Sequence, residues 1–258
     1  MMSKGRDDAM ETPASLRALE ILAIVTGSSG MASLAQIAAA TGLSKPTVHR
    51  ICAFLTSAGF LSRDFEPGMF TIGPVFRKLA FDALTSRYEQ GLRHAVLAGM
   101  ADEVGETCNL TTLDGTEIVY LDRVEARWPL RLTLDIGNHI PIHCCASGKL
   151  FLALMKPHAR ASLLDRLAFE KITLKTIVDR RRFETELETI RKSGYALDDE
   201  EFIDGMVAIA LPVRDDTDEI CATISVHAPT VRMSIESLRR KVPRLKQWAK
   251  KVEKAIGR

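Results

Sequence analysis

An α+β fold in two parts is predicted by three features of the chain. A helix–turn–helix pattern runs from Ser33 to Gly59, a short strand–turn–strand pattern follows it, and beyond Glu106 strand-like and helix-like segments are interspersed. The dozen polar, Met-rich residues at the start read as a disordered N-terminus, residues 1–12. Pro13 then opens a helix in which Leu16, Leu19, Leu22, Ala23 and Val25 recur at helical spacing up to Gly27. Such a helix is what a helix–turn–helix pair needs to close a core.

In the next helix Leu34, Ile37 and Ala38 fall on one face, and Thr41-Gly42-Leu43 makes the turn. Ser44 is placed to cap the following helix, with Pro46 tolerated in its first turn. Val48, Ile51, Cys52 and Leu55 form its inner stripe, which leaves Thr47, His49, Arg50 and Ala53 on the free face. This is the layout of a helix that enters the major groove of DNA. Arg50 is the candidate base reader, because a bidentate arginine–guanine pair is worth about 1–3 kcal/mol of discrimination. Lys45 at the helix entrance is placed for a phosphate, Ser44 and Thr47 for phosphate or base, and His49 for a base edge. Phe60 to Arg63 and Met69 to Gly73, around Glu66-Pro67-Gly68, read as two strands of a wing, with Arg63 beside the turn as another phosphate contact. The alternative is a plain hairpin that caps the helices.

Residues 13–74 thus read as a winged helix–turn–helix domain and residues 75–90 as a linker helix, with a second helix from Glu89 to Val104 leading into a domain spanning residues 91–258. There Glu106 to Leu113 and Glu117 to Val124 alternate around Asp114-Gly115 as a hairpin. Further strands are predicted at Arg131 to Ile136, Ile140 to His143, Met206 to Val213 and Ile220 to His227. Helices are predicted at Ser147 to Met155, Pro157 to Leu167 and Arg180 to Ser193. This order suggests an antiparallel sheet flanked by helices, as in a sensor domain. The final stripe, Ile235, Leu238, Val242, Leu245, Trp248, Val252 and Ile256, is helical, and Pro243 is expected to break or kink it.

Charge separates the same regions. Residues 1–90 carry nine basic and eight acidic groups, residues 91–231 carry 16 and 23, and residues 232–258 carry ten and two. A net of +1 over the first ninety residues gives one DNA-reading domain little electrostatic grip, so a dimer on an inverted-repeat operator is expected. The basic surplus of the last helix reads as a solvated outer face before it reads as a DNA or partner contact. With no apolar stretch of about 18 residues and no charged-then-apolar leader, neither a membrane span nor a signal peptide is expected. Five cysteines, Cys52, Cys108, Cys144, Cys145 and Cys221, form an odd set that fits reduced thiols in a cytoplasm.

Several motifs, in this order, are similar to those of the IclR-type bacterial transcriptional regulators, and the resemblance covers about Ser15 to Arg258. They are Leu43-Ser44-Lys45-Pro46-Thr47-Val48-His49-Arg50, Gly105-Glu106-Thr107, Ala146-Ser147-Gly148-Lys149, Gly194-Tyr195 with Asp198-Asp199-Glu200-Glu201, and Ile224-Ser225-Val226. The resemblance implies a winged helix–turn–helix, a linker helix and a GAF/PAS-like effector domain, assembled as a dimer or a dimer of dimers on palindromic operators. It places effector contacts on Ala146, Ser147, Asp198, Ser225 and His227. The family's keto-acid binders carry a second serine where this chain has His227 and a cysteine where it has Ala208. Asp198 lies in an acidic run whose plain reading is a solvated loop.

A helix beginning at Ala146-Ser147-Gly148 suits a small anion. His143 and His227 could donate to a carboxylate or a phenolic oxygen, so a hydroxylated aromatic acid or another catabolic carboxylate is the preferred effector. No cofactor, metal or catalytic residue is implied by this reading. Acting through the effector, such a protein would either leave its operator or recruit RNA polymerase. Two alternatives remain at Cys144 and Cys145. With His143, Cys108, Cys221 and His227 they could bind a metal or sense redox state, although no Cys-x-x-Cys pair is present. With His143 they could also form a thiol hydrolase, although neighbours on a strand point to opposite faces.

Overall fold

A computed structural model describes residues 13–28, 30–64, 68–84, 87–129 and 134–256. The chain divides into two compact units, Met1–Ala83 and Leu84–Arg258. In the first, α1 (Ala14–Gly27), α2 (Leu34–Thr41) and α3 (Lys45–Ser57) pack beside a three-stranded sheet of β1 (Met31–Ser33), β2 (Leu61–Arg63) and β3 (Met69–Ile72), and α4 (Pro74–Leu84) follows. The sheet is antiparallel in the order β1-β3-β2. Ser33 ends β1 and starts α2 with a capping box: Gln36 N–H donates to Ser33 Oγ at 3.2 Å, and Ser33 N–H donates to Gln36 Oε1 at 2.8 Å. Gly42, at φ +67°, ends α2 in the left-handed region and makes the turn into α3.

Ile21, Leu22, Val25, Ile37, Val48, Cys52 and Leu55 form the core of this unit with Ala32, Leu61 and Phe70 from the strands. Each fully buried Leu, Ile or Val contributes about 1.5–3 kcal/mol. The inner stripe of α1 is rotated from the sequence expectation. Ile21 takes the central place, while Leu16, Leu19 and Ala23 are exposed. The wing has a third strand, β1, which at three residues carries no alternation long enough to read. Phe65, Glu66 and Pro67, in the expected wing turn, lie outside the described residues, as do residues 1–12. Gly73 packs on the backbone of Gly59 and Leu61 with no room for a Cβ, which holds β3 and the start of α4 against the end of α3.

The second unit begins at α5 (Arg87–Val104) and holds a six-stranded antiparallel sheet. Its strands are β4 (Thr107–Asp114), β5 (Glu117–Val124), β6 (His139–Pro141), β7 (Ala196–Asp199), β8 (Met206–Arg214) and β9 (Ile220–Pro229), in the order β6-β5-β4-β9-β8-β7. The helices α6 (Ala146–Leu154), α7 (Pro157–Leu164) and α8 (Arg180–Ser193) intervene, and α9 (Ile235–Ile256) ends the unit. Helices α5 and α9 pack together and against the sheet, while α6 packs against the sheet and α8. On the α6 side the core gathers Ile118, Tyr120, Ile142, Leu150, Phe183, Leu187 and Ala210.

Five expectations are corrected here. Of Arg131 to Ile136, residues 131–133 lie outside the described set and residues 134–136 belong to no strand; Ile140 to His143 contributes only the end of β6 before a turn. The helix from Pro157 stops at Leu164, three residues short. The acidic run after Tyr195 is not a solvated loop, since its first half is β7, with Asp198 buried. Finally, Pro243 does not break α9. The ring lies on the exposed side, and burial of Leu238, Val242, Leu245, Trp248 and Val252 outweighs a helix-interior proline's cost of about 3 kcal/mol.

Candidate functional site

Two sets of side chains stand out, one in each unit. In the first, α3 buries Val48, Cys52 and Leu55 and turns Lys45, His49, Arg50 and Ala53 to the outside. Ser44 precedes the helix without a side-chain cap; its Oγ instead lies 2.9 Å from Thr47 Oγ1, and Thr47 is half-buried. Arg63 is exposed at the end of β2. Among the described residues, Lys45, His49, Arg50 and Arg63 have no acidic partner. An exposed cationic helix face with its N-terminal half free is what a major groove accepts. The sequence reading passed over Phe54, one turn beyond Arg50 and 71% exposed, an apolar surface suited to sugar or a thymine methyl.

In the second unit, the register explains how distant residues meet. Asp198 on β7 pairs with Ala208, and Ala208 with His227 on β9. His227 in turn faces Thr107 on β4, Ser225 faces Asn109, and Thr223 faces Thr111. With a period of two, Thr107, Asn109, Thr111, Thr223, Ser225, His227 and Asp198 all lie on one face of the sheet. All are buried, and Ser147, in the first turn of α6, bonds to that face: Thr223 Oγ1 donates to Ser147 Oγ at 2.9 Å. Thr111 Oγ1 and Thr223 Oγ1 are 2.7 Å apart.

A second row runs across three strands. Arg123 Nη1 donates to Asn109 Oδ1 at 3.0 Å, and Asn109 Nδ2 donates to Ser225 Oγ at 3.3 Å. The Ser225 hydroxyl lies 3.3 Å from His227 Nε2. Burial, and secondarily the Arg123 charge, depress the His227 pKa to about 3, so this ring is neutral. It can hydrogen-bond a ligand but supplies no cation.

Asp198 behaves oppositely. Burial raises its pKa to about 7, against the pull of Lys149, while Glu201 adds to the rise. Its Oδ1 accepts from the Glu201 and Phe202 backbone N–H groups at 2.7 and 3.4 Å. Because folding raises this pKa, the native chain holds a proton that the unfolded chain releases between about pH 4 and 7, and this group's stability contribution falls as pH rises through that window. His227 opposes it, since its lowered pKa makes stability rise with pH from about 3 to 6.5. Asp198→Asn removes only the falling part. The unfolding free energy of the variant minus that of the parent is expected to climb from pH 4 to 7, by at most about 1.4 kcal/mol per unit. Urea melts at several pH values measure it, and a pH-independent difference would contradict the assignment.

Ala146 and Ser147 open α6 and are buried, with their backbone at the positive end of the helix dipole. Cys145 caps that helix, its Sγ accepting from Gly148 N–H at 3.4 Å. Gly148 rests on the Ile142 backbone, where a Cβ would collide. His143 is engaged elsewhere: its Nε2–H donates to the Glu170 carbonyl at 2.8 Å and its ring packs edge-on to Phe169. Ser147, Asp198, Ser225 and His227 are therefore brought to one face, and His143 serves the loop between α7 and α8. Two rival chemistries lose support. Burial raises the thiol pKa of Cys144, and that of Cys145 to about 12, so neither is a ready thiolate. Among the described residues, no group of three or more His, Cys, Asp or Glu could hold a metal ion.

The sequence reading missed Asn109, Thr111, Arg123, Tyr120 and Lys149. For the first two a signal existed, because Thr107-Cys108-Asn109-Leu110-Thr111 alternates polar and apolar in a strand buried on both faces. A polar row at such a place marks a lined interior.

The chain matches two family descriptions, "IclR helix-turn-helix domain" over residues 15–64 and "Bacterial transcriptional regulator IclR C-terminal" over residues 90–254. It is 38% identical over 243 residues to the transcriptional regulator SauR of Cupriavidus necator, covering 94% of this chain and 96% of that protein. Among solved structures it is similar to the IclR protein of Thermotoga maritima, with a TM-score of 0.63 and 26% identity over 95% of this chain and 98% of the other. It also shares the fold of an IclR homolog from Microbacterium hydrocarbonoxydans crystallised with 4-hydroxybenzoate, with a TM-score of 0.60 and 20% identity over 93% and 97% of the two chains.

Proposed function

The chain belongs to the IclR family of bacterial transcriptional regulators and is a DNA-binding regulator, and from that premise we propose that a small organic acid held in the C-terminal unit sets its affinity for an inverted-repeat operator. One observation carries the reading: Ser147, Asp198 and the pair Ser225 and His227, from three separate elements of the chain, share one polar face beneath the N-terminus of α6 inside an otherwise apolar core. The 4-hydroxybenzoate in the Microbacterium homolog supports an aromatic hydroxy acid as one such effector.

On the DNA side, Arg50 reads a base, helped by His49, while Lys45 and Arg63 hold phosphates and Ser44 and Thr47 meet phosphate or base. Two copies act together. A net charge of +1 over residues 1–90 leaves one unit with weak grip, and α4 exposes Val75 and Leu79, one turn apart, as an apolar strip that a second copy would cover. Two such dimers could pair on longer operators. The winged helix–turn–helix domain comprises residues 13–74, residues 75–90 act as the connector, and residues 91–258 hold the acid. The protein works in the cytoplasm, where its operator is. Among the described residues no helix is long and apolar enough to cross a membrane.

The acid must prefer one arrangement of the paired DNA-reading units, since equal affinity for both shifts nothing. Whether that shift releases DNA or recruits RNA polymerase, it appears as a change in operator affinity. In gel-shift titrations at fixed salt, at least one acid from a set containing 4-hydroxybenzoate, benzoate, pyruvate and glycolate is expected to move the operator midpoint about five-fold or more. Midpoints that no acid moves would overturn the effector assignment and leave the DNA-binding assignment standing.

A further inference from the structure

Tyr120 is fully buried on β5, opposite Thr111, and belongs to the same core cluster as Cys145 and Ala146 at the start of α6. Its ring is therefore part of the wall beside the polar face. Its hydroxyl, however, finds no hydrogen-bond partner among the described residues. Leaving such a group unpaired is destabilising, and Phe would fill the same space without that cost. The hydroxyl is the one polar atom that this side chain adds to a core cluster that also holds Ile118, Ile140 and Ile142. Next to it, Thr111, Thr223 and Ser147 form a closed hydrogen-bonded chain, and Arg123, Asn109, Ser225 and His227 form another. Tyr120 stands between them, with the Arg123 guanidinium 5.9 Å from its ring centre.

We propose that Tyr120 is a specificity-determining residue of the effector site, its hydroxyl bonding a second oxygen of the bound acid, so that the site takes hydroxy- or oxo-substituted carboxylates and discriminates against the plain acids. This rests on the effector reading above. The carboxylate is held by the start of α6 with Ser225 and His227, and the second oxygen meets Tyr120. A phenolic O–H can donate to an oxo group or accept from a hydroxyl, so both substituents fit the same residue. A site that spends a buried hydroxyl on the ligand rejects the analogue lacking the partner atom more strongly than an apolar wall could.

The test is calorimetric titration of the full chain and its Tyr120→Phe variant with matched pairs: 4-hydroxybenzoate against benzoate, glycolate against acetate, and pyruvate against propionate. The variant keeps ring volume, and its unfolding transition is checked without ligand. The unsubstituted chain is expected to bind the oxygenated member of at least one pair about ten-fold or more tightly than its partner. Tyr120→Phe is expected to erase that preference by weakening the oxygenated acid alone. An equal loss for both members would mean that the ring merely shapes the wall, and unchanged affinities, or a preference for the plain acids, would equally overturn the proposal. Absence of binding by every acid to the unsubstituted chain would reject the effector reading itself, a result distinct from any of these.

Discussion

Arg50→Ala is expected to abolish specific operator binding while leaving the fold intact. Arg50 is exposed on α3, and among the described residues it has no carboxylate partner, so nothing in the native structure depends on its charge. Alanine is the best helix former, and the unfolding free energy should stay within about 0.5 kcal/mol of the parent value. On DNA the loss is large. A bidentate guanine contact is worth about 1–3 kcal/mol, and a two-fold symmetric dimer loses it in both half-sites, roughly 2–6 kcal/mol together. The expected fall in operator affinity is thus about thirty-fold to more than ten-thousand-fold, down to the level of unrelated duplex. Non-specific binding and its salt dependence should persist, since Lys45 and Arg63 remain to meet phosphates. Gel-shift titration on operator and unrelated DNA checks both halves of the expectation, and undiminished operator affinity would remove Arg50 from base reading.

Lys149→Ala is expected to cost the second unit about 3–5 kcal/mol. Lys149 projects from α6, is 1% exposed, and donates its Nζ hydrogen to Glu201 with Glu186 3.7 Å away. Glu201 is itself buried, and burial lifts its pKa in spite of that lysine. Without Lys149 the carboxylate faces a low dielectric alone and must either protonate or open the packing between α6 and the turn after β7. For a unit of this size the loss corresponds to roughly 10 °C in the midpoint of thermal unfolding. Lys149→Met combined with Glu201→Gln is expected to recover most of it, because the damage lies in the orphaned charge and not in a missing attraction. A midpoint within about 1 °C of the parent for Lys149→Ala would show that water reaches Glu201. The same substitution should weaken acid binding, since Ser147 and Lys149 share the first turns of α6.

The helix–turn–helix was legible because its determinants are local: a glycine that can adopt positive φ at position 42, the inner stripe Val48, Cys52 and Leu55, and a serine before α3. The rotation of α1 was not. Leu16 and Leu19 fit a helical stripe as well as Ile21 does, and only packing against α2, α3 and the wing decides which residues face inward. In the second unit the strands around Asp114-Gly115 were readable from their turn, whereas β7 was hidden by composition. Asp198-Asp199-Glu200-Glu201 looks like solvent-facing charge, yet alternation turns Ala196 and Asp198 inward and Asp199 outward. Glu200, at φ +62°, then redirects the chain so that Glu201 turns back to Lys149. Pairing of Ser225 with Asn109 depends on strand register across 116 residues, and Asp198 reaches the same face only because its neighbour Ala208 pairs in turn with His227, which no local pattern encodes. That is why Ser225 and Asp198 came from the family resemblance, and why Arg123 and Tyr120 emerged only with the sheet.

Regulation by this protein requires that the exposed face of α3 read duplex DNA as a symmetric pair. Selecting bound duplexes from a random pool with the full chain, and repeating the selection with Arg50→Ala, measures this directly. An inverted repeat with half-sites about one helical turn apart, or a multiple of it, is expected, containing a guanine whose preference disappears in the variant. Sequences enriched without inverted symmetry, or the same sequences recovered by both proteins, would contradict it.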